Sequence, residues 1–441
     1  MTNSPFSNQG VWRIAAPMIL SNISLPLLGL VDTAVMGHLD SAVYLGAVAV
    51  GATIFSFIFT GLNFLRMGTT GIAAQAHGSG DATEMRTVLA QAALIAIGMA
   101  LLLLVLRGPI ASAAMLLLKP SSEVAGFATE YFSIRIWSAP AVLINFAVIG
   151  WFIGMQNARG PLAIMLTVNL TNILLDFVFV IGLGLKVDGV AIASVIAEYS
   201  GLCLSGVLVA REIRRIPGRW EKSRIFDSHR FHRLFSVNAN LLIRTFALMF
   251  VFGFLTAQGA RMGNAVLAAN AVLLNFQLLM SYGLDGFAHA AEALVGRAIG
   301  ARDREGFVAS IRISLRWSLI VSVAFTLIFA VAGPLIIRII SDIPEVVETA
   351  FEYLPWLILS PIVSVWSFLY DGVFVGATRA REMRNSMLLS AFVVYVPAYY
   401  ALEFLGNHGL WLAFMLFMAA RGISMHWIFK RLDARGEFAP I

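Results

Sequence analysis

The sequence predicts an all-α polytopic membrane protein with twelve transmembrane helices, arranged as two six-helix lobes that are parallel repeats. Three observations support this fold class. Of the 441 residues, 59% are hydrophobic and only 13% are charged, with a mean hydropathy of +0.83, whereas soluble domains are roughly half apolar. Charge-free runs such as 14–31, 88–106 and 317–337 are long enough to cross a bilayer as helices. The second half of the chain also repeats motifs of the first half.

Gly, Pro and charged clusters separate the apolar segments from one another. We read the segments between them as twelve helices, at 12–36, 43–75, 87–107, 126–155, 161–183, 188–210, 233–258, 265–296, 310–338, 349–377, 385–404 and 408–429. The N-terminus lacks the basic region of a cleavable signal peptide, so the first apolar run is read as the first helix.

The distribution of basic residues predicts the orientation. The longest polar stretch, 211–233, lies between the sixth and seventh helices and contains eight Lys and Arg residues. The positive-inside rule places it in the cytoplasm. Because each lobe has an even number of helices, both termini are expected on the same side. We therefore expect a multi-pass membrane protein with both termini cytoplasmic.

An internal repeat relates the two halves at a shift of 222 residues. The segment "GWFIGMQNAR" from Gly150 recurs as "GVFVGATRAR" from Gly372. The same shift pairs Asp81 with Asp303, which we expect to cap the following helices. Six helices per repeat make the halves parallel repeats about an axis along the membrane normal. The predicted domains are an N-terminal lobe at 1–210, a basic linker at 211–232 and a C-terminal lobe at 233–441.

The two halves of the repeat differ at some acidic positions, where the acid occurs in the first half only. Asp32, in the first helix, corresponds to Phe254, and the fifth helix places Asn169, Asn172 and Asp176 on one face at positions i, i+3 and i+7. With a rise of about 1.5 Å per residue, Asp32, Asp176 and Ser194 of the sixth helix lie at a similar depth below the outer end of their helices. The sequence therefore predicts a polar cluster confined to the N-terminal lobe.

This cluster is interpreted as a proton or cation site. A central aspartate costs about 3 kcal/mol to insert into a bilayer, and burial beside a second carboxylate favours its protonated form. The side-chain oxygens of Asn172 and Ser194 are also suitable ligands for a small cation such as Na⁺. The alternative is that Asp32 and Asp176 reach interfacial water or cap a neighbouring helix. The single cysteine, Cys203, excludes a disulfide framework.

Four segments resemble a known transporter family. They are "RIAAPMILSNISLPLLGLVDTAVMGHLD", "AAQAHGSGD", "NLTNILLD" and "DGVFVGATRAREMRNSM". They are similar to the multidrug and toxic compound extrusion (MATE) transporters, in particular the DinF-like branch. The resemblance covers nearly the whole chain and implies two six-helix lobes around a V-shaped cavity, with efflux coupled to inward H⁺ or Na⁺.

The resemblance also implies roles for individual residues. Asp32 matches the first-helix acid of the family's N-terminal lobe, and Asn172 and Asp176 match its fifth-helix partners. Ser194 stands where the family pattern has a hydroxyl group. Pro17 matches the proline at which the first helix bends in some members, and the absence of its N–H favours a kink. A first-turn proline is the structural alternative.

Other intramembrane acids lie outside this cluster. Asp285 and Glu292 are seven residues apart in the eighth helix, and Asp371 lies in the tenth. They are expected either to contact a cationic substrate or to form charge pairs that close an inner gate. Glu198 in the sixth helix is expected to line the N-terminal cavity or to cap a polar network.

The sequence therefore predicts a secondary active multidrug antiporter that exports organic cations or amphipathic compounds in exchange for H⁺ or Na⁺. The alternative is a flippase of a lipid-linked precursor, which a strongly cationic cavity would favour. An enzyme is not expected, because no nucleophile or metal set is present. The expected partners are small molecules and the bilayer. No cofactor beyond the coupling ion, no nucleic acid and no oligomer are expected.

Overall fold

In a computed structural model, the protein is built from long helices. The structure describes residues 4–37 and 41–438, and the side chains of 25–34 and 36 lie outside the described part. The twelve long helices are α1 (Asn8–Met36), α2 (Ala42–Ser79), α3 (Ala82–Val105), α4 (Ser122–Gly154), α5 (Arg159–Gly182), α6 (Val187–Arg215), α7 (Ser228–Arg261), α8 (Asn264–Gly300), α9 (Arg304–Ile340), α10 (Pro344–Gly376), α11 (380–401) and α12 (Asn407–Ala434). Over the described ranges there is no β-strand.

Each predicted span corresponds to one of these helices. Ten of them, α2 to α10 and α12, are long and apolar enough to cross a membrane. Short helices at Arg107–Leu118 and Lys222–Ile225 join consecutive elements. Several long helices exceed their predicted spans at the ends expected in the cytoplasm. For example, α9 begins at Arg304 and not near 310, because hydropathy marks only the part of a helix inside the hydrocarbon.

Contacts divide the chain into two compact units. The N-terminal unit comprises 20–234, and the C-terminal unit comprises the residues up to Ile19 together with those from Phe235 onward. The sequence-based boundaries assigned all of α1 to the N-terminal lobe, whereas the first part of α1 packs with the C-terminal unit. The Trp12 ring lies edge-on to Phe287 at 5.2 Å. A Cβ at position 286 would lie 2.4 Å from the Ile19 Cγ1, so Gly286 leaves space for the Ile19 side chain.

The glycines of the repeated motif fulfil the same packing role in both units. A Cβ at Gly150 of α4 would lie 2.3 Å from the Arg66 carbonyl oxygen of α2, and a Cβ at Gly372 of α10 would lie 2.3 Å from the Ala288 carbonyl oxygen of α8. Arg66 and Ala288 are themselves related by the 222-residue shift. The motif therefore persists because only glycine lets these helix backbones approach so closely.

The turn before the third helix of each half is also repeated. Asp81 accepts a hydrogen bond from the Glu84 N–H and Asp303 accepts one from the Gly306 N–H, so both cap a helix as predicted. The preceding residues, Gly80 and Arg302, both have left-handed φ values, 70° and 55°. The duplication thus extends to backbone conformation.

The basic linker folds against α3 in the N-terminal unit. Arg86 donates hydrogen bonds of 2.8 Å and 2.7 Å to the Ile213 and Ile216 carbonyls at the end of α6. Arg224 contacts the Asp81 carboxylate at 2.9 Å. The Glu84 N–H, followed by Arg224, lowers the pKa of Asp81 below its ordinary value. These bonds attach the linker to the N-terminal unit.

Substitution of the second-half glycine tests the packing. We expect Gly372→Ala to lower the free energy of unfolding by about 1–3 kcal/mol, the usual range for overpacking, because the new methyl group would collide with the Ala288 carbonyl. Thermal unfolding of the purified protein in detergent micelles measures the effect. Gly98→Ala in α3 is the matched control, since no atom beyond the neighbouring backbone of its own helix lies within 4 Å of the position that its new Cβ would occupy. Equal unfolding temperatures for the two variants would contradict the packing role.

Candidate ion-coupling site

The polar face of α5 is turned into the protein. Asn169, Asn172 and Asp176 are 6%, 4% and 0% exposed, whereas Leu170 and Leu174 on the opposite face are each 63% exposed. The α-helical part of α5 ends at Asp176, and a π-helical segment, Phe177–Gly182, follows at once. π-Helical turns are rare and frequent at functional sites. The stripe predicted from the spacing is therefore a buried stripe beside a backbone irregularity.

A hydrogen bond joins this face to α6. The Asn172 amide donates to the Ser194 hydroxyl over 3.5 Å, and both side chains are buried. The sequence placed Ser194 at the depth of Asp176 and Asn172 about one turn deeper, and the structure brings Asn172 and Ser194 into contact. Ser194 thus turns its hydroxyl oxygen toward the polar face of α5.

A second hydrogen bond joins the same face to α1. The Asn169 amide donates to the Ser24 hydroxyl over 2.7 Å, and that hydroxyl donates to the Ser21 carbonyl over 2.7 Å. Sequence reasoning missed Ser24. Its signal was present, because Ser21, Asn22 and Ser24 are the polar residues of an otherwise apolar run. Asp32 lies eight residues beyond Ser24 on α1, and its side chain is outside the described part of the structure.

Glu198 lies one helical turn from Ser194 on α6. The buried Asn145 amide of α4 donates to the Glu198 carbonyl over 3.3 Å, and the Asn145 side-chain oxygen accepts from Ser205 over 2.8 Å. The N-terminal unit thus has polar contacts farther along α6, toward its C-terminal end, in addition to the Asn172–Ser194 pair.

Pro17 lies well inside α1. The helix begins at Asn8, so the proline is its tenth residue, and the first-turn alternative is wrong. The boundary between the two units falls between Ile19 and Leu20, within one turn of Pro17. The proline therefore stands next to the point at which α1 passes from one unit to the other.

The acid of the tenth helix belongs to a buried ion cluster in the C-terminal unit. Asp371 Oδ2 accepts from Arg244 of α7 and, over 2.8 Å, from Arg421 of α12. The three residues are 9%, 7% and 3% exposed. Asp285 lies close enough to Arg421 to attract it electrostatically. Asp371 is thus engaged by two guanidinium groups of its own unit.

The remaining acid of the eighth helix has a neighbour on its own helix. Glu292 Oε2 lies 3.4 Å from His289 Nδ1, and both residues are buried. Within the described part of the chain, no three His, Cys, Asp or Glu side chains are placed to hold a metal ion. The oxygens available around Asn172 and Ser194 are those of amide, hydroxyl and carboxylate groups, a set suited to a proton or a hard cation.

Comparison with known proteins agrees with this architecture. The MatE family model matches residues 17–178 and again 240–400, so one model covers both halves of the repeat. The chain is 44% identical to DNA damage-inducible protein F of Escherichia coli (strain K12), over 96% of this chain and 92% of that protein. It is 25% identical to multidrug resistance protein NorM of Aliivibrio fischeri, over 91% and 90% of the two chains.

Solved structures share the fold at lower identity. A crystal structure of MATE in the straight conformation superposes with a TM-score of 0.88 at 18% identity, covering 97% of this chain and 96% of that one. A structure of MATE in the bent conformation gives 0.87 at 17% identity, covering 98% and 96%. The all-α, twelve-helix fold class is confirmed. With its repeat, its buried polar site and these matches, the chain belongs to the MatE family of membrane transporters and is not an enzyme.

Proposed function

We propose that this transporter is a secondary active efflux antiporter that exports organic cations or amphipathic compounds in exchange for H⁺, with Na⁺ as the alternative coupling ion. The observation that supports it most directly is the fully buried Asp176, one turn from the Asn172–Ser194 hydrogen bond. A carboxylate in this setting is costly to insert and is therefore expected to have a function. The multidrug resistance named in the NorM relative suggests the substrate class.

The register of α1 against α5 supports a pair of acids. In the proposed topology both helices run from the cytoplasm outward, and Ser24 bonds to Asn169. Asp32 lies eight residues beyond Ser24, and Asp176 lies seven residues beyond Asn169. At about 1.5 Å per residue these steps are about 12 Å and 10.5 Å, so the two positions reach nearly the same level. Two acids at one level favour sharing a single proton.

Bending of α1 is the proposed link between protonation and transport. Pro17 has no N–H to donate to the Arg13 carbonyl, so the helix is weakest there. The part before the proline packs with the C-terminal unit, and Ser24 beyond it bonds to α5 of the N-terminal unit. A change at the acid pair can therefore reorient the outer part of α1 about Pro17 while the inner part keeps its own contacts.

Substitution of the proline tests the hinge. We expect Pro17→Ala to slow export about tenfold or more while the protein remains folded, because restoring one backbone hydrogen bond of about 1 kcal/mol or more stiffens the helix. The readout is initial export rate in reconstituted liposomes. Pro344→Ala is the matched control, since Pro344 begins α10, where its missing N–H has no helical partner in any case. Unchanged turnover for Pro17→Ala would exclude the hinge.

The coupling ion is identified by transport in liposomes under separate gradients. Purified protein is reconstituted, and export of ethidium is followed with a pH gradient alone and with a sodium gradient alone. We expect the pH gradient to drive export. A response to sodium alone would assign Na⁺, and a response to neither would refute secondary antiport.

The proposed placement is the bacterial inner membrane, with the 211–233 segment and both termini in the cytoplasm. Impermeant thiol labelling of Lys222→Cys in a Cys203→Ala background tests it in intact cells. Labelling from outside would reverse the orientation and place Asp32 and Asp176 near the cytoplasmic side.

A further inference from the structure

A polar column continues below the Asn172–Ser194 pair along one face of α6. Ser194, Glu198, Gly201 and Ser205 are spaced i, i+4, i+7 and i+11, which places them on one side of the helix. Asn145 of α4 faces this side. Its amide bonds to the Glu198 carbonyl, its side-chain oxygen accepts from Ser205, and a Cβ at Gly201 would lie 3.2 Å from its nitrogen.

Glu198 lies close enough to Arg135 of α4 to be attracted by it. The Glu198 carboxylate also interacts with the Asn145 amide. In the proposed topology, Glu198 lies eleven residues, or about 16 Å, from the outer end of α6. Arg135 lies thirteen residues, or about 20 Å, from the outer end of α4. Both depths fall near the middle of a hydrocarbon core about 30 Å thick. Ionisable residues at such depth are rare and mark ion pathways.

Arg135 is supported independently of Glu198. It donates to the Tyr131 hydroxyl, and its guanidinium lies over the Phe55 ring at 5.3 Å and the Tyr131 ring at 5.6 Å. Cation–π contacts of this kind stabilise a desolvated guanidinium. Neutralising Glu198 therefore leaves Arg135 with other partners. Titratable groups on the helices around α6 include Arg135 and Tyr131 on α4 and, one to two turns closer to the outer end, Asp176 on α5.

Comparison of the two halves of the internal repeat shows which features of this arrangement both halves share. In the second half, Ser367 occupies the position equivalent to Asn145 and also donates to a carbonyl of the sixth helix of its half, that of Met418, over 2.8 Å. The positions equivalent to Glu198 and Arg135 are Ala420 and Leu357. The inter-helix hydrogen bond therefore recurs in both halves, whereas Glu and Arg at these two positions occur only in the first half. The charged pair on the equivalent helices of the second half, Asp371 and Arg421, occupies other positions.

We propose that Glu198 is a second proton-binding carboxylate, distinct from the aspartate pair, so that two protons enter per transport cycle. This inference rests on the proposed proton antiport. One proton binds at the level of Asp32 and Asp176, and one binds at Glu198 about one to two turns deeper. Exchange of two protons for one monovalent organic cation moves one net positive charge inward, so the membrane potential contributes to export. Exchange of one proton would move no net charge.

The test measures the response to membrane potential at equal pH. Full-length protein is reconstituted in liposomes, and ethidium, a monovalent cation, is followed against protein-free vesicles with the interior held 100 mV negative. One charge across 100 mV corresponds to about 2.3 kcal/mol, or about a 50-fold concentration ratio. We expect the wild type to lower internal ethidium by up to about 50-fold. Glu198→Gln should lose this response and still transport ethidium under a pH gradient.

Controls make each outcome decisive. Asp188→Asn, at the outer end of the same helix, should behave as wild type, and Glu198→Asp should keep the response because it keeps a carboxylate. A wild type that responds to pH but not to potential would overturn the second site without any variant. Glu198→Gln that retains the full potential response would also overturn it. A wild type with no proton-driven transport would instead refute the proposed antiport, which is a distinguishable result.

Discussion

Asp176→Asn should abolish proton-driven export and leave the protein folded. Asparagine has nearly the same size, but it cannot bind and release a proton, and Asp176 is fully buried in the polar face that bonds α5 to α1 and α6. Asp32→Asn should have the same effect, since the two acids are proposed to share one proton. The measurement is export driven by a pH gradient in liposomes, with unfolding temperature as the check on folding.

The control for these variants is Asp342→Asn, in the loop before α10, which should export at the wild-type rate. The informative contrast is with the C-terminal unit. If Asp176→Asn and Asp32→Asn exported normally while a folded Asp371→Asn protein did not, the coupling site would lie in the C-terminal unit. The acids present only in the N-terminal half would then not be the coupling groups.

Asp371→Asn should act mainly on stability. Its carboxylate accepts from Arg244 and Arg421, and all three residues are buried. Removing one member of a buried ion cluster leaves uncompensated charge, which costs about 3–5 kcal/mol. We therefore expect a large fall in the unfolding temperature of the purified protein, with proton coupling retained in the fraction that folds.

A double variant separates this electrostatic cost from a general packing defect. Asp371→Asn combined with Arg421→Gln should be less destabilised than the sum of the two single variants, because the second change removes one of the unbalanced charges. Additive losses would show that charge imbalance is not the cause. An unfolding temperature equal to that of wild type for Asp371→Asn alone would exclude the ion cluster as a stabilising element.

Asp176 and Asp371 therefore differ in kind although both are buried aspartates. Asp371 has two guanidinium partners within its own unit. Asp176 lies one turn from Asn172, whose described partner is the neutral Ser194 hydroxyl. Removing the Asp371 carboxylate leaves two guanidinium groups uncompensated, so the main effect expected at Asp371 is on stability. Proton exchange is therefore proposed for the acids of the N-terminal unit.

The sequence by itself determined the helices, the repeat and the buried faces. Apolar length sets the spans, and the seven-residue spacing from Asn169 to Asp176 sets which face of α5 is polar, because both follow from helix geometry. The paired glycines at 150 and 372 were visible as a motif, and their role in close packing follows from their lack of a side chain.

Only the tertiary structure decided which faces meet. Periodicity shows that Asn169 points away from lipid, but it cannot name Ser24, 145 residues earlier, as its partner. The grouping of Arg244, Asp371 and Arg421 likewise depends on three helices far apart in the chain. The sequence also did not show that α1 packs with two different units on either side of the Ile19–Leu20 boundary near Pro17. Hydropathy indicates that a segment is buried, but not which helices bury it. Those neighbours are chosen by packing of the whole chain, which local pattern does not encode.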